Sequence, residues 1–262
     1  MSPVITLLTD FGLRDAYVGA MKGVILGINP KARIVDLTHE IEPQNVKQAA
    51  YLLKTAYHYF PAGSVHVAVV DPGVGTERRP IAARLGQWTF VAPDNGLLTY
   101  AIQGEDGPRV VEIVNPRYML PGVSGTFHGR DIFAPAAARL SLGAPLSDLG
   151  PEVPDPVLLP PPPQPAGDVY PGSVIHVDRF GNCITDIEEA PFRRWATQAV
   201  TMEAGGRTIR GLAAAYGEAA PGEAVALFGS SGHLEMAVTM GSAQLVLGLH
   251  IGSAVLLRRG QG

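Results

Sequence analysis

Hydrophobic positions in this chain follow two patterns, one in each half. From Val4 to Leu8 the residues are almost wholly apolar, as in a strand buried on both faces. A loop from Asp10 to Asp15 follows, then a helical pattern from Tyr17 to Ile28 closed by Asn29-Pro30. Arg33 to Leu37 is predicted as a second strand. Between Pro43 and Tyr59 the apolar residues Val46, Ala49, Ala50, Leu53, Ala56 and Tyr57 recur at the spacing of one helix face. Val65 to Val70 is a third strand. Shorter strands are predicted at Ile81 to Arg84, Thr89 to Ala92 and Val110 to Val114, and a helix at Ile132 to Leu140. Strand alternating with helix argues for a layered α/β domain with a mostly parallel sheet.

From Pro151 to Pro171 the character changes, with Pro160 to Pro163 consecutive. Such a stretch has too few backbone donors for a helix or a central strand, and predicts a stiff extended linker. Beyond it, short β-like segments lie at Ser173 to Val177, Cys183 to Ile187, Ala199 to Met202, Ala224 to Leu227, His233 to Ala237 and Ala254 to Leu257. Turn signals at short intervals separate them, as in a small antiparallel sheet or barrel. The expected organisation is an α/β domain over residues 1–155, a proline-rich linker over 156–170 and a smaller antiparallel β-barrel-like domain over 171–262.

Composition narrows the function. Hydrophobic residues make up 46% of the 262 and charged residues only 17%, with mean hydropathy +0.15. So apolar a composition suggests surface covered by other subunits or by tight packing, and an oligomer is expected. A net charge of −4 gives no electrostatic footprint for nucleic acid or an anionic membrane surface. The lone cysteine, Cys183, excludes an internal disulfide and any cysteine-cluster metal site. The opening Met1-Ser2-Pro3-Val4 lacks the basic stretch and apolar core of a secretory signal, and no run of about 18 apolar residues occurs, so a soluble cytoplasmic protein is expected.

Candidate chemistry gathers at strand ends. The run Val69-Val70-Asp71-Pro72-Gly73-Val74-Gly75-Thr76-Glu77-Arg78-Arg79 passes from strand to glycine-rich turn to charge. In an open α/β sheet, ligands sit beyond the carboxyl ends of the strands, so Asp71 at that boundary faces a site. The turn can bring Asp71 and an arginine together, but a one-residue slip exchanges Arg78 for Arg79. Asp10 closes the first strand, where a carboxylate is suited to vicinal hydroxyls; a turn-forming Asp fits equally. In Phe127-His128-Gly129-Arg130-Asp131, His128 stands before a helical pattern, where the helix dipole favours a neutral imidazole able to accept a proton from water. Asp10, Asp71, His128 and Asp131 are also conceivable hard metal ligands, although the neighbouring arginines and the spacing argue for no metal. Gly73-Val74-Gly75 is no phosphate cradle, since Arg78 replaces the third glycine and no Walker lysine follows. In the second half, Asp178-Arg179-Phe180-Gly181-Asn182 couples an acid, an aromatic face and an amide, suited to a planar polar ring or to an ordinary hairpin. Gly229-Ser230-Ser231-Gly232 offers hydroxyls and backbone amides in one bend, with Glu235 close by.

Taken together with Thr9-Asp10-Phe11-Gly12 and Pro93-Asp94-Asn95-Gly96, these clusters resemble, in order and over nearly the whole chain, the S-adenosyl-L-methionine hydroxide adenosyltransferase family, which is related to fluorinases and chlorinases. The resemblance implies hydrolysis of S-adenosyl-L-methionine to adenosine and L-methionine with no cofactor. It also implies a homotrimer whose active sites lie between the N-terminal domain of one subunit and the C-terminal domain of its neighbour. By the same resemblance Asp71, Arg78 and His128 are the water-activating set, and Asp10 binds ribose. Asn95, Phe127 and Asp178 are substrate-binding; Phe180 and Asn182 belong to the adenine side, and Ser230, Ser231 and Glu235 to the methionine side. The halogenases, so aligned, carry tyrosine in place of Asp71 and serine in place of Gly129. A carboxylate there repels a halide but accepts a hydrogen bond from water. A non-catalytic binding module for the same ligands is the alternative.

Overall fold

The structure, a computed structural model, describes residues 4–105 and 107–260. The chain divides into two compact units, with the boundary between Leu159 and Pro160.

In the first unit the elements run β1 (Val4–Thr9), α1 (Tyr17–Ile28), β2 (Arg33–Thr38), α2 (Val46–Ala56), β3 (Val65–Val69), β4 (Pro80–Leu85), β5 (Trp88–Pro93), α3 (Thr99–Gln103), β6 (Arg109–Glu112) and α4 (Ala134–Ser141). They form a six-stranded sheet of order β2-β1-β3-β5-β4-β6. The contiguous strands β2, β1, β3 and β5 are mutually parallel. Strand β4 runs against both β5 and β6. The mostly parallel sheet expected from sequence is therefore present.

Alternation along the strands separates two cores. Ile5 and Leu7 of β1 and Val65, Val67 and Val69 of β3 pack with Met21 and Ile25 of α1 and the alanines of α4. Leu8 and Ala68 point to the other face, against Ala49 and Leu53 of α2. Helices α1 and α2 thus cover opposite faces. The chain leaves β1 toward β2 on one side and returns to β3 on the other, which makes the carboxyl ends of β1 and β3 the crevice where the winding reverses.

Element ends differ from sequence expectation for local reasons. Helix α2 starts at Val46, not Pro43, because the Asn45 side chain accepts from Gln48 N and caps it. Strand β6 stops at Glu112, because the backbone N–H groups of Val114 and Asn115 both turn to Leu149 O. Helix α4 is entered through a π-helical turn, Gly129–Phe133. In the proline-rich stretch, Val157 N donates to Asp94 Oδ1 and Leu159 N to Thr99 Oγ1, both at 2.8 Å.

The second unit contains β7 (Val169–Val177), β8 (Cys183–Glu188), α5 (Glu189–Trp195), β9 (Val200–Ala204), β10 (Arg207–Arg210), β11 (Ala224–Phe228), β12 (His233–Val238), α6 (Ala243–Leu247) and β13 (Ala254–Arg259). Its seven-stranded sheet, of order β10-β9-β13-β7-β8-β12-β11, is antiparallel throughout. Just beyond β10, Ala213 N donates to Ala226 O in β11 at 2.9 Å. The two outer strands are brought toward one another in this way, giving the nearly closed barrel that the regular turn spacing predicts. Strand β10 and helices α5 and α6 were not expected. Each is four to seven residues long, too short for a periodicity to register.

Candidate active site

A cavity of about 370 Å³ opens at the crevice of the first unit, lined by Asp10 and Phe11 after β1, Gln44 before α2, Asp71 and Val74 after β3, and Phe127, His128 and Gly129. Four stretches distant in sequence meet there because the strands that precede two of them are neighbours.

Arg78 is the hub of its polar side. Its Nε donates to both carboxylate oxygens of Asp71, at 2.9 and 3.1 Å, and its Nη2 donates to Oδ2 as well. The same Nη2 lies 2.8 Å from His128 Nδ1. A guanidinium has no acceptor, so Nδ1 must accept, and in the neutral imidazole the hydrogen sits on Nε2. The Arg78 and Asp71 side chains are only 9% and 5% exposed, and the guanidinium stands 5.3 Å from the centroid of the Phe133 ring. Its Nη1 is buried and makes no hydrogen bond within the described residues.

Arg79 turns the other way. It donates to Asp94 Oδ2 and Asp155 Oδ1, at 2.8 and 2.9 Å. Of the two arginines, Arg78 is the one that contacts the cavity residues Asp71 and His128.

Burial holds the His128 imidazole below its ordinary range, and the Arg78 charge adds to this; Asp71, Asp131 and the Ser124 backbone oppose it. The ring is neutral, as the sequence suggests, but through burial and a guanidinium. The lone pair on Nδ1 is directed at Arg78, so acceptance of a proton from water, the expectation from sequence, requires that contact to open.

Backbone geometry draws these groups together. The Asp71 loop folds through two successive turns, Val74 N to Asp71 O and Thr76 N to Gly73 O. Gly75 has φ +77°, and a Cβ there would stand 2.2 Å from Gly125 O. Only glycine permits this approach between the Asp71 loop and the loop carrying His128. Asp131 locks the second loop, accepting from Ser124 N and Oγ and from Arg130 Nε. Burial raises the Asp131 carboxyl, but those bonds outweigh it and leave it below its usual value.

The apolar wall is aromatic. Phe127 packs edge to face against Phe11 and Tyr17, which are tilted against each other, with centroids 5.2 to 5.9 Å apart. Asp10 is half-buried and accepts from Gln44 N at 2.8 Å. Gln44 itself has φ +68°, a left-handed conformation that side chains adopt rarely and that recurs at functional sites. Tyr17 and Gln44 were not singled out from sequence. Tyr17 opens a helix whose apolar residues fit core packing equally well, and a left-handed glutamine has no sequence signature. Asn95 stands apart. Its Nδ2 donates to Val70 O at 2.8 Å and its Oδ1 accepts from Leu97 N, so both ends of its amide brace the turns after β3 and β5.

In the second unit, Asp178 organises its hairpin. Oδ1 accepts from the backbone of Phe180 and Asn182, and Oδ2 from Asn182 Nδ2, all at 2.9 Å. The Phe180 ring is 77% exposed. Ser230 and Ser231 occupy the turn between β11 and β12, and Gly229 approaches Glu235 so closely that a Cβ would lie 2.4 Å from Oε2. Glu235 is buried and accepts from the Tyr216 hydroxyl. Burial pushes its carboxyl above the usual range, Asp178 adds to this, and the Tyr216 bond opposes it.

Comparison with known proteins fits both units. Residues 5–150 match the SAM hydroxide adenosyltransferase N-terminal domain and residues 172–256 the C-terminal domain. An (R)-S-adenosyl-L-methionine hydrolase of Thermus thermophilus is 45% identical, with 98% of this chain and 100% of that protein covered. A protein of the same name from Salinispora tropica is 40% identical, with 99% of each covered. A conserved protein of Thermotoga maritima, known by crystal structure, superposes with TM-score 0.89 at 39% identity, covering 97% of this chain and all of that one. The chain belongs to the SAM hydroxide adenosyltransferase family.

Proposed function

We propose that this chain hydrolyses S-adenosyl-L-methionine to adenosine and L-methionine, and that Asp71, Arg78 and His128 set up the attacking water. The observation that carries this reading is the chain of hydrogen bonds from Asp71 through Arg78 to His128 at the edge of the crevice. Attack at the ribose 5′ carbon forms a C–O bond and breaks the C–S bond. The sulfonium leaves as a neutral thioether, so the leaving group needs no protonation. The nucleophile is the obstacle, since free water has a pKa of about 15.7. Arg78 supplies positive charge that favours hydroxide character. A carboxylate has lone pairs beyond those Arg78 uses, so Asp71 accepts the hydrogen bond of the water, and the proton released as the C–O bond forms leaves along that bond to solvent. His128 holds the guanidinium in place and presents Nε2–H. Asp10 takes the ribose hydroxyls, and Phe11 and Phe127 pack against the nucleoside.

By resemblance, Phe180 and Asn182 serve the adenine, Ser230, Ser231 and Glu235 serve the methionine, and the assembly is a cytoplasmic homotrimer with sites completed by a neighbouring subunit. Phe180 is exposed, which leaves its ring accessible to a ligand or partner. A metallohydrolase is disfavoured by Arg78, whose charge lies against the carboxylate a cation would use. Incubation with S-adenosyl-L-methionine and chromatography tests the proposal. Adenosine is expected, in amounts unaffected by chelator and lost in His128→Ala. Tight ligand binding with intact substrate after long incubation would favour the binding module.

A further inference from the structure

We propose that Thr9 and His39 are positioning residues that fix the strand-end acid Asp10. The Thr9 hydroxyl, fully buried at the end of β1, accepts from Phe11 N at 3.2 Å and lies 2.8 Å from His39 Nδ1. The Asp36 carboxylate oxygen 3.1 Å from Nε2 favours the imidazole hydrogen on that nitrogen, which leaves Nδ1 to accept from the Thr9 hydroxyl while the hydroxyl oxygen accepts from Phe11 N. Nε2 faces Asp36 Oδ1 at 3.1 Å, an electrostatic contact rather than a linear hydrogen bond. Asp36 in turn accepts from Lys22 Nζ of α1 at 2.6 Å. The backbone of His39 also takes part, since Gly12 N donates to its carbonyl at 2.8 Å.

The residues on both sides of Asp10 are therefore tied to one buried imidazole, and through Asp36 to α1. Asp10 itself has a single further restraint, the bond from Gln44 N. A carboxylate that must meet a ligand's hydroxyls needs its supporting shell held this way, because a displacement of about 1 Å is enough to loosen such a site. Among the described residues no hydrogen bond or ion pair joins Thr9, His39 or Asp36 to the Asp71, Arg78 and His128 set, so the arrangement should govern ligand affinity and not the chemical step.

A second threonine–histidine pair lies on the same strand. Thr6 Oγ1 is 2.8 Å from His66 Nδ1, among Tyr57, Phe60 and Phe90. It does not line the cavity, and serves as an internal control for a merely structural staple.

The inference rests on Asp10 being the ligand-binding acid of the proposed hydrolase. Its test compares Thr9→Val, Thr9→Ser and Thr6→Val by adenosine-release kinetics, thermal midpoint and amide hydrogen exchange at Phe11 and Gly12. Thr9→Val is expected to raise KM roughly 5- to 10-fold, the size of one lost hydrogen bond, with kcat within about twofold and faster exchange at both amides. Thr9→Ser is expected to restore all three, and Thr6→Val to lower the midpoint without moving KM. An unchanged Phe11 amide and KM in Thr9→Val, or a Thr9→Ser as impaired as Thr9→Val, overturns the proposal. Should Thr9→Val fail to fold, His39→Asn is read the same way and must also release the Phe11 amide. If the wild-type protein forms no adenosine, the hydrolase reading falls by itself, and the amide exchange still decides whether Thr9 and His39 hold the loop.

Discussion

Arg78 Nη2 and His128 Nδ1 lie 2.8 Å apart, and because only the guanidinium can donate, this one contact settles the tautomer of the histidine. It also bears on pH. The imidazole is kept neutral below its ordinary range by burial, with help from the Arg78 charge. If the neutral ring is required, kcat/KM should hold as pH falls through 6.5 and decline only below it. Replacing Arg78 by Gln removes the cation while leaving Asp71, so the acid limb should move upward. A pH–rate profile of both proteins checks this, and a limb that stays in place would remove Arg78 as a cause.

Arg78→Ala should reduce kcat by roughly 100-fold or more, as removal of one electrostatic stabiliser does. Arg79→Ala should leave kcat close to wild type and lower the melting temperature instead, since it strips Asp94 and Asp155 of their partner. Steady-state kinetics together with thermal scans separate the two. An exchange of phenotypes would show that the loop register differs in solution.

Gly75→Ala should be severe, because the new Cβ meets a backbone oxygen and the residue must keep φ +77°. A destabilisation of about 2 kcal/mol or more is expected in denaturant titration, with turnover falling further than stability alone explains. Gly63→Ala, at φ +80° with nothing near its Cβ position, isolates the backbone contribution.

His66 gives a stability signature independent of catalysis. Buried in β3, its imidazole is lowered to about 4 from an ordinary 6.5. The unfolded chain therefore takes up this proton first as pH falls. The contribution is fully present above 6.5 and is lost progressively between 6.5 and about 4, by at most roughly 3 kcal/mol. Unfolding free energies across that window should flatten in His66→Gln relative to wild type.

Much of the architecture was legible because burial imposes periodicity. The runs at Val4 and Val65 have to be strands between two layers, and an acid closing each has to sit at the crevice. Less of the site could be read. The choice between Arg78 and Arg79 depends on a one-residue phase in a glycine loop, where no apolar pattern sets the register. The contact that surrounds His128 could not be read, because its neighbour in space lies fifty residues away and a nearby helix start was the only local clue. The support around Asp10 escaped notice, since Thr9 and His39 look like ordinary strand-end residues until the parallel pairing of β1 and β2 places them together.

The contact of Gly75 with Gly125 O sets how far this site can be remodelled. Two main chains that already touch cannot move closer, and a bulkier residue at Gly75 can only force them apart. The distance between acid, guanidinium and imidazole is thus a property of the scaffold. Altered nucleophile preference should accordingly be sought by changing what those loops carry at positions such as Asp71, and libraries that vary Gly75 should yield misfolded protein instead of new chemistry.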